Sequence, residues 1–465
     1  MVNQAEIDVR TADDDVERSF GVDEDLVRAA ETALSDGKLG ELDDLIADLH
    51  ASELADLLEE LTPDSRLLLL DHVREELDPE ILPNLDDVVR EDILEQLDPE
   101  EVAAVITELE TDDAVDVFEN VAEADQAQVL ERLSPSDRAL VEEALSYPED
   151  SAGRLMQREL VTVPKDWSVG NTIDYMRERA ANLPRDFYEI YAVDEERHPV
   201  GSIPLSRLMR NQRGVRIDDI MLTDVRAARV QMDQEEVALM FKQFALVSAP
   251  VVNDDGQLMG VITADDVVHV IHEEAEEDIM RLGGVREDDF YEAVLDTTRA
   301  RFSWLLANLG TAIIASLVIG LFDAAIEQVV ALAILMPIVA SMGGNAGTQT
   351  LTVAVRALAM KELTATNAAR IVGKEIIVGG INGMLFAVLM GGIAWLWFGQ
   401  PVIGLIIAAA MVVNLLIAGF AGVTIPIVLQ RLRIDPAVGS AVVLTTVTDV
   451  VGFVSFLGLA ALILL

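Results

Sequence analysis

The stretch Leu444-Thr-Thr-Val-Thr-Asp449-Val-Val-Gly452-Phe453 lies inside an apolar run at 437–465 in which Asp449 is the only charged side chain. An ionised carboxylate at the centre of a membrane span costs about 2.5–3.5 kcal/mol on insertion scales, so it must face a partner, water or an ion. Two readings follow. Either the hydroxyls of Thr445, Thr446 and Thr448 tie the carboxylate down, or Asp449 belongs to an ion path. Ionisable groups inside membranes default to function, which favours the path.

Working outward, further apolar runs lie near 302–322, 328–344, 371–398 and 402–430. Each is near or above the roughly 20 residues a spanning helix needs. Five spans place the two ends of this region on opposite sides of the bilayer. The basic residues beyond 300 (Arg301, Arg356, Lys361, Arg370, Lys374, Arg431, Arg433) all fall on one side if the first span runs outward from the cytoplasm. That is the positive-inside pattern. Asp323 and Glu327 then occupy the external first loop, Trp304 the inner interface, and Trp395 and Trp397 the outer one, where amphipathic rings are favoured. The first 20 residues are polar and acidic and do not read as a signal peptide. The expectation is a multi-pass plasma-membrane protein with a cytoplasmic N-terminus and an extracellular C-terminus.

Charge divides at the same boundary. The chain of 465 residues has 82 acids and 33 bases, and residues 301–465 hold only six of those acids and seven of the bases. Residues 1–300 therefore carry a net charge of −50. Such a surface repels nucleic acid and anionic lipid and attracts cations. Only five lysines accompany 28 arginines, a lysine-poor, acid-rich balance that fits a salt-rich cytoplasm, so acidity alone marks no cation site. Cysteine is absent, which excludes disulfides and thiolate metal sites.

Between 24 and 147 one device recurs: Leu61-Thr62-Pro63, Leu77-Asp78-Pro79, Leu97-Asp98-Pro99 and Leu133-Ser134-Pro135 each open an amphipathic segment. A Thr, Asp or Ser cap followed by proline satisfies the orphan amides of a helix and presets its first turn. This predicts an all-α superhelical N-domain at 24–147, after an acidic disordered tail at 1–23. Periodicity leaves open whether that domain senses or merely spaces.

Residues 148–272 read as two α/β units, 148–213 and 214–272. In the second, a helix near Gln234–Phe244 precedes a strand at Ser248–Val252, a turn at Asn253–Gly256, a strand at Leu258–Ile262 and a helix from Thr263. The segment Gly260-Val-Ile-Thr263-Ala-Asp-Asp266 resembles the end of a CBS domain, which implies Thr263 and Asp266 as nucleotide-binding residues. At the equivalent place in the first unit Pro204 replaces the hydroxyl residue and Arg207 the acid, so ATP binding stays open and is expected to be weak or absent.

The stretch Met336-Pro-Ile-Val-Ala-Ser-Met-Gly343-Gly-Asn345-Ala-Gly347-Thr-Gln349-Thr reads as an apolar helix breaking into a glycine-rich, amide-bearing segment. Irregular backbone at membrane depth is tolerated where it is buried or lines an aqueous path. Together with Thr448-Asp449-Val-Val-Gly452-Phe453, the Tyr147-Pro-Glu-Asp-Ser-Ala-Gly153 junction and the paired CBS units, this stretch resembles the signature of the MgtE family of magnesium channels over nearly the whole chain.

The resemblance implies a multidomain homodimer: helical N-domain, tandem CBS domains, a connecting (plug) helix at 273–300 and a five-helix channel domain at 301–465. It implies a Mg²⁺ path at the two-fold axis, with Asp449 paired across it and Asn345 and Gln349 lining its inner mouth. It implies closure by cytosolic Mg²⁺ bridging Asp112 and Asp116 of the N-domain, Asp233 and Glu235 opening the second CBS domain, Asp266, and Glu274, Glu277 and Asp278 of the connecting helix. The last three fall at i, i+3 and i+4, one helix face on which like charges repel unless compensated. Gly379 and Gly383 form a small-xxx-small pair suited either to close helix contact at the path or to core packing.

No Walker A sequence is present, so ATP-driven pumping has no support, and the resemblance implies a transport protein and not an enzyme. A CBS-regulated membrane metalloprotease would need an intramembrane zinc site, yet His50, His72, His198, His269 and His272 all precede the membrane half. A secondary transporter of divalent cations such as Co²⁺ or Mn²⁺ remains the alternative to a channel.

Overall fold

The computed structural model describes residues 22–180, 183–184, 187–285 and 294–464. Most of the acidic tail, and residues 286–293 of the connecting segment, lie outside the described residues. The chain divides into two compact units, Met1–His272 and Glu273–Leu465.

The first unit begins with helices α1 (Glu24–Asp36), α2 (Leu39–Ile46), α3 (Ala51–Glu60), α4 (Pro63–Val73), α5 (Asp87–Leu94), α6 (Pro99–Glu108), α7 (Thr111–Glu119), α8 (Glu123–Arg132) and α9 (Pro135–Ala144). The proline device works as the sequence predicts. Thr62 Oγ1 accepts from the Ser65 amide at 3.4 Å, Ser134 Oγ from the Asp137 amide at 3.3 Å, and the Asp98 amide donates to Glu101 Oε2 at 2.7 Å in a capping box. Asp78 caps in the same way, its Oδ1 accepting from the Glu80 amide at 3.1 Å, but Pro79–Asn84 is a 3₁₀ helix and not an α-helix. Pro83 explains the difference, because it cannot donate the bond an α-helix would require there. Buried Leu42, Leu57, Leu69, Leu82 and Ile93 fill the interior of these helices.

Two three-stranded sheets follow. In the first, β1 (Thr162–Pro164) pairs parallel with β2 (Glu189–Val193), which pairs antiparallel with β3 (Pro199–Pro204). In the second, β4 (Ala228–Arg229), β5 (Ser248–Val252) and β6 (Leu258–Thr263) repeat that order and those directions. Helix α10 (Val169–Glu178) serves the first sheet with short helices α11 (Leu205–Met209) and α12 (Ile217–Ile220), and α13 (Gln234–Phe244) serves the second. The leading segments are exchanged. Gln157 and Val261 trade backbone hydrogen bonds of 2.9 Å, and Ala152 and Met156 lie in the core of the second sheet. Conversely, Ile217 and Ile220 lie in the core of the first.

Helix α14 (Ala264–Gly283) is the last helix of the second CBS unit continued without a break, so the connecting segment does not begin a new helix at 273. It stops at Gly284, whose φ of 71° is readily adopted only by glycine.

In the second unit α15 (Val294–Gly320), the short α16 (Asp323–Gln328), α17 (Ala331–Ala359), α18 (Ala368–Phe398), α19 (Pro401–Arg431) and α20 (Ser440–Leu464) include five helices long and apolar enough to cross a membrane. Helix α19 is the central one and packs on α17, α18 and α20. Gly379 and Gly383 act in core packing: a Cβ at either would press on the α19 backbone at Leu415 or Val412. One expectation fails. The glycine-rich stretch 336–350 does not break the helix; α17 runs through it, so the second span ends at Ala359 and not near 344. With no water in hydrocarbon, a helix that satisfies its own backbone outweighs the weak helix propensity of glycine. The glycines instead let neighbours approach, Gly343 facing Asn414 and Gly347 facing Leu444.

Candidate cation sites

Asp449 lies in the third turn of α20, about 14 Å along the helix from its start at 1.5 Å per residue. Its neighbours do not tie it down. Thr445 and Thr448 donate to carbonyls of the preceding turn, and Thr446 Oγ1 to the Val442 carbonyl at 2.7 Å. Among the described residues Asp449 makes no hydrogen bond or ion pair, and it is half-buried in the single protomer.

On α17 the exposed side chains include Ser341, Asn345, Thr348, Gln349 and Thr352, spaced to share one helix face. Asn345 Nδ2 donates to Ser341 Oγ at 3.3 Å. An amide-rich face of this kind is unstable against lipid and calls for water or a second protein surface. The two sequence-predicted amides therefore share this face, although on a helix and not on a loop.

In the N-terminal unit the predicted acids separate into different environments. Asp116 is paired, its Oδ2 accepting from Arg90 Nη1 at 2.8 Å. Asp233 caps α13, its Oδ1 accepting from the Glu235 amide at 2.9 Å, which leaves Glu235 in the first turn of that helix. Asp112 and Asp266 do come together. Asp112 stands in the first turn of α7 and Asp266 in the first turn of α14, where helix N-termini favour carboxylates.

Asp112 Oδ1 is shut off from solvent with no hydrogen-bond partner among the described residues. Burial, then the charges of Asp266, Asp113 and Glu110, push the Asp112 carboxyl well above the usual range. Burial, followed by Asp266 and Glu80, lifts Asp113 to about 7. Burial, followed by Glu159 and Asp266, lifts Glu110 to about 7. Burial raises Asp266 as well, opposed by hydrogen bonds from the Thr263 amide and hydroxyl at 3.1 and 2.7 Å. Glu110 and Asp113 are missing from the sequence-predicted set; in a chain with 82 acids nothing marks them until α7 and α14 are brought together. The cluster gathers several carboxylates, one oxygen of them without a partner among the described residues, and their mutual repulsion is of the kind a divalent ion would relieve.

On α14 the expected run of uncompensated charge is partly compensated. Glu277 is ion-paired with Arg281, whose Nη1 also holds Asp435 Oδ2 at 2.7 Å. Burial and then Asp435 raise the Asp278 carboxyl, so Asp435 joins Glu277 and Asp278 in one acidic group. Glu274 stands one turn before Asp278 and makes interactions of its own. At the proposed nucleotide site Thr263 Oγ1 is occupied by Asp265 and Asp266. Arg207 is exposed and Pro204 begins α11 without a side-chain cap.

Comparison with known proteins adds the following. A family model described as the divalent cation transporter MgtE matches residues 336–459, the MgtE intracellular N domain matches 49–150, and CBS domains match 152–214 and 217–273. The chain is 34% identical over 321 residues to the magnesium transporter MgtE of Thermus thermophilus, a match covering 68% of this chain and 71% of that protein. It is 30% identical over 317 residues to the magnesium transporter MgtE of Bacillus subtilis, covering 68% and 70%. A solved cytosolic domain of the Mg²⁺ channel MgtE in complex with ATP is 30% identical with a TM-score of 0.49, covering 52% of this chain and 99% of that one.

Proposed function

The chain belongs to the MgtE family of divalent cation transporters, and from that premise we propose that it is a Mg²⁺ channel closed by cytosolic Mg²⁺. The observation that carries the conduction half is the unpaired carboxylate of Asp449 in a membrane helix, with its threonine neighbours turned to their own backbone. One carboxylate cannot neutralise a divalent ion and two can. The polar face of α17, exposed in one protomer, supports the same homodimeric arrangement, with Asn345 and Gln349 beside the path. Mg²⁺ sheds water reluctantly, so Asp449 would act through retained waters.

The driving force is the membrane potential. A divalent cation gains about 4.6 kcal/mol per 100 mV, enough to concentrate it more than a thousandfold without ATP. Entry from outside places the N-terminal unit and the basic helix ends in the cytoplasm of a plasma-membrane protein and the C-terminus outside.

The gating half rests on Asp112, Asp113, Glu110 and Asp266. These acids repel one another when empty and would be drawn together by Mg²⁺, with Glu274, Glu277, Asp278 and Asp435 as a further acidic group by the membrane unit. The deciding experiment is divalent-cation flux in liposomes, wild type against Asp449→Ala. Loss of Mg²⁺ flux with the protein still folded and dimeric is expected; unchanged flux and selectivity would remove Asp449 from the path.

A further inference from the structure

Asn414, near the middle of α19, is fully buried in the membrane unit. Its Nδ2 donates to the Val339 carbonyl of α17 at 2.8 Å, while its Oδ1 is buried without a partner among the described residues. An apolar bundle does not gain stability by enclosing half an amide, since an unsatisfied buried oxygen is a net cost. The surroundings are shaped to the amide. A Cβ at Gly343 of α17 would collide with Asn414, and one at Gly452 of α20 would stand 2.9 Å from its Nδ2 and 3.3 Å from Val339 Cγ1. Asn414 thus fills a notch cut by one glycine from each of two neighbouring helices.

Both glycines lie beside the residues assigned to the ion path. Gly343 is two residues before Asn345, and Gly452 is three residues after Asp449. A directional hydrogen bond fixes rotation and axial register where apolar packing alone tolerates slippage. We infer that Asn414 is a positioning residue of the pore: bonded to Val339 and seated between Gly343 and Gly452, it sets the spacing of Asn345 relative to Asp449, and through that spacing the discrimination between Mg²⁺ and the larger Ca²⁺. This rests on the channel reading above. The ion's own waters sit at about 2.0–2.1 Å around Mg²⁺ and 2.3–2.6 Å around Ca²⁺, so the hydrated ions differ in size and a small change in the spacing of Asn345 and Asp449 alters preference more than throughput.

The test is the ratio of Mg²⁺ to Ca²⁺ flux through the full chain in liposomes. Asn414→Leu keeps the branching at Cγ and removes the amide; it should retain Mg²⁺ flux while its ratio falls roughly threefold to tenfold, the worth of one interhelical hydrogen bond in a membrane. Asn414→Asp keeps the shape of the side chain and, in its protonated form, an O–H donor for the Val339 carbonyl, and should keep the wild-type ratio. Gly452→Ala leaves the amide in place and crowds it, and should shift the ratio in the same direction; it carries the test if Asn414→Leu does not reach the membrane. Wild-type ratios in Asn414→Leu or Gly452→Ala, with flux still dependent on Asp449, would overturn the positioning role and leave the channel reading standing. A wild-type chain that moves no divalent cation would overturn both.

Discussion

Asp116 Oδ2 accepts a 2.8 Å hydrogen bond from Arg90 Nη1, while one turn earlier on the same helix Asp112 Oδ1 is buried without a partner among the described residues. Two aspartates of equal standing in the sequence therefore sit in opposite environments. Arg90 is itself buried and also donates to the Leu82 and Leu85 carbonyls and to Asn120 Oδ1, so Asp116 completes a structural network. Asp116→Asn should lower the stability of the cytoplasmic unit by about 1 kcal/mol, because Asp116 is half in solvent, and should leave its response to Mg²⁺ intact. Asp112→Asn should do the reverse, raising the melting temperature without Mg²⁺ and weakening Mg²⁺-induced stabilisation. Thermal unfolding with and without Mg²⁺ separates them; equal Mg²⁺ responses in Asp112→Asn and wild type would exclude Asp112 as a ligand.

The same cluster fixes a dependence on pH. Glu110 and Asp113 titrate near 7 when folded and near 4 when unfolded, so the folded state binds more protons between those values. Their stabilising contribution is complete below about pH 4 and is lost as the pH rises through 7. Without Mg²⁺, residues 1–272 should become less stable from pH 5 to 8, and Mg²⁺ should offset the loss most at the upper end. Glu101 acts in a different window: the hydrogen bond from Arg74 lowers its carboxyl to about 2, so its contribution is lost only in acid. Glu110→Gln with Asp113→Asn should flatten the curve between pH 5 and 8. A melting temperature that rises with pH in wild type without Mg²⁺ would contradict the assignment.

Nucleotide binding gives a third expectation. Thr263 Oγ1 is already bonded to Asp266, and the first CBS unit offers Pro204 where a hydroxyl would be needed. Calorimetric titration of residues 148–272 with ATP should release little heat. Submicromolar binding would show that Thr263 and Asp266 exchange their mutual hydrogen bond for ribose contacts.

What the sequence discloses depends on contrast. Asp449 stands out because it is a single charge in an apolar run, and the proline-capped helices are legible because capping is local chemistry. Glu110 and Asp113 are invisible for the opposite reason: each is one acid among many, and only α7 against α14 distinguishes them, while Asp435, one of six acids beyond residue 300, stands out only once it lies beside Arg281. The stretch from Met336 to Thr350 misleads because glycine weakens helices in water, whereas in a bilayer it marks where α19 and α20 approach α17. Asn414 belongs to that geometry and is unremarkable until the Val339 carbonyl is placed against it.

Glu274, Glu277 and Asp278 test whether the acidic region gates or merely solvates. Monovalent salt screens diffuse charge, whereas a site of fixed oxygens still prefers a divalent ion, so molar KCl separates the two contributions. In that medium millimolar Mg²⁺ should still protect α14 from proteolysis and reduce channel opening. Neutralising the three acids together should weaken inhibition without abolishing conduction, since all three precede the first membrane span. The ion pairs sharpen the expectation. Glu277 is already compensated by Arg281, so Glu277→Gln alone should have little effect, whereas Asp278→Asn removes the repulsion with Asp435 that Mg²⁺ would otherwise relieve. If Mg²⁺ closed the triple variant at the same concentration as wild type, these acids would be surface charge, and closure would have to originate in the cluster around Asp112.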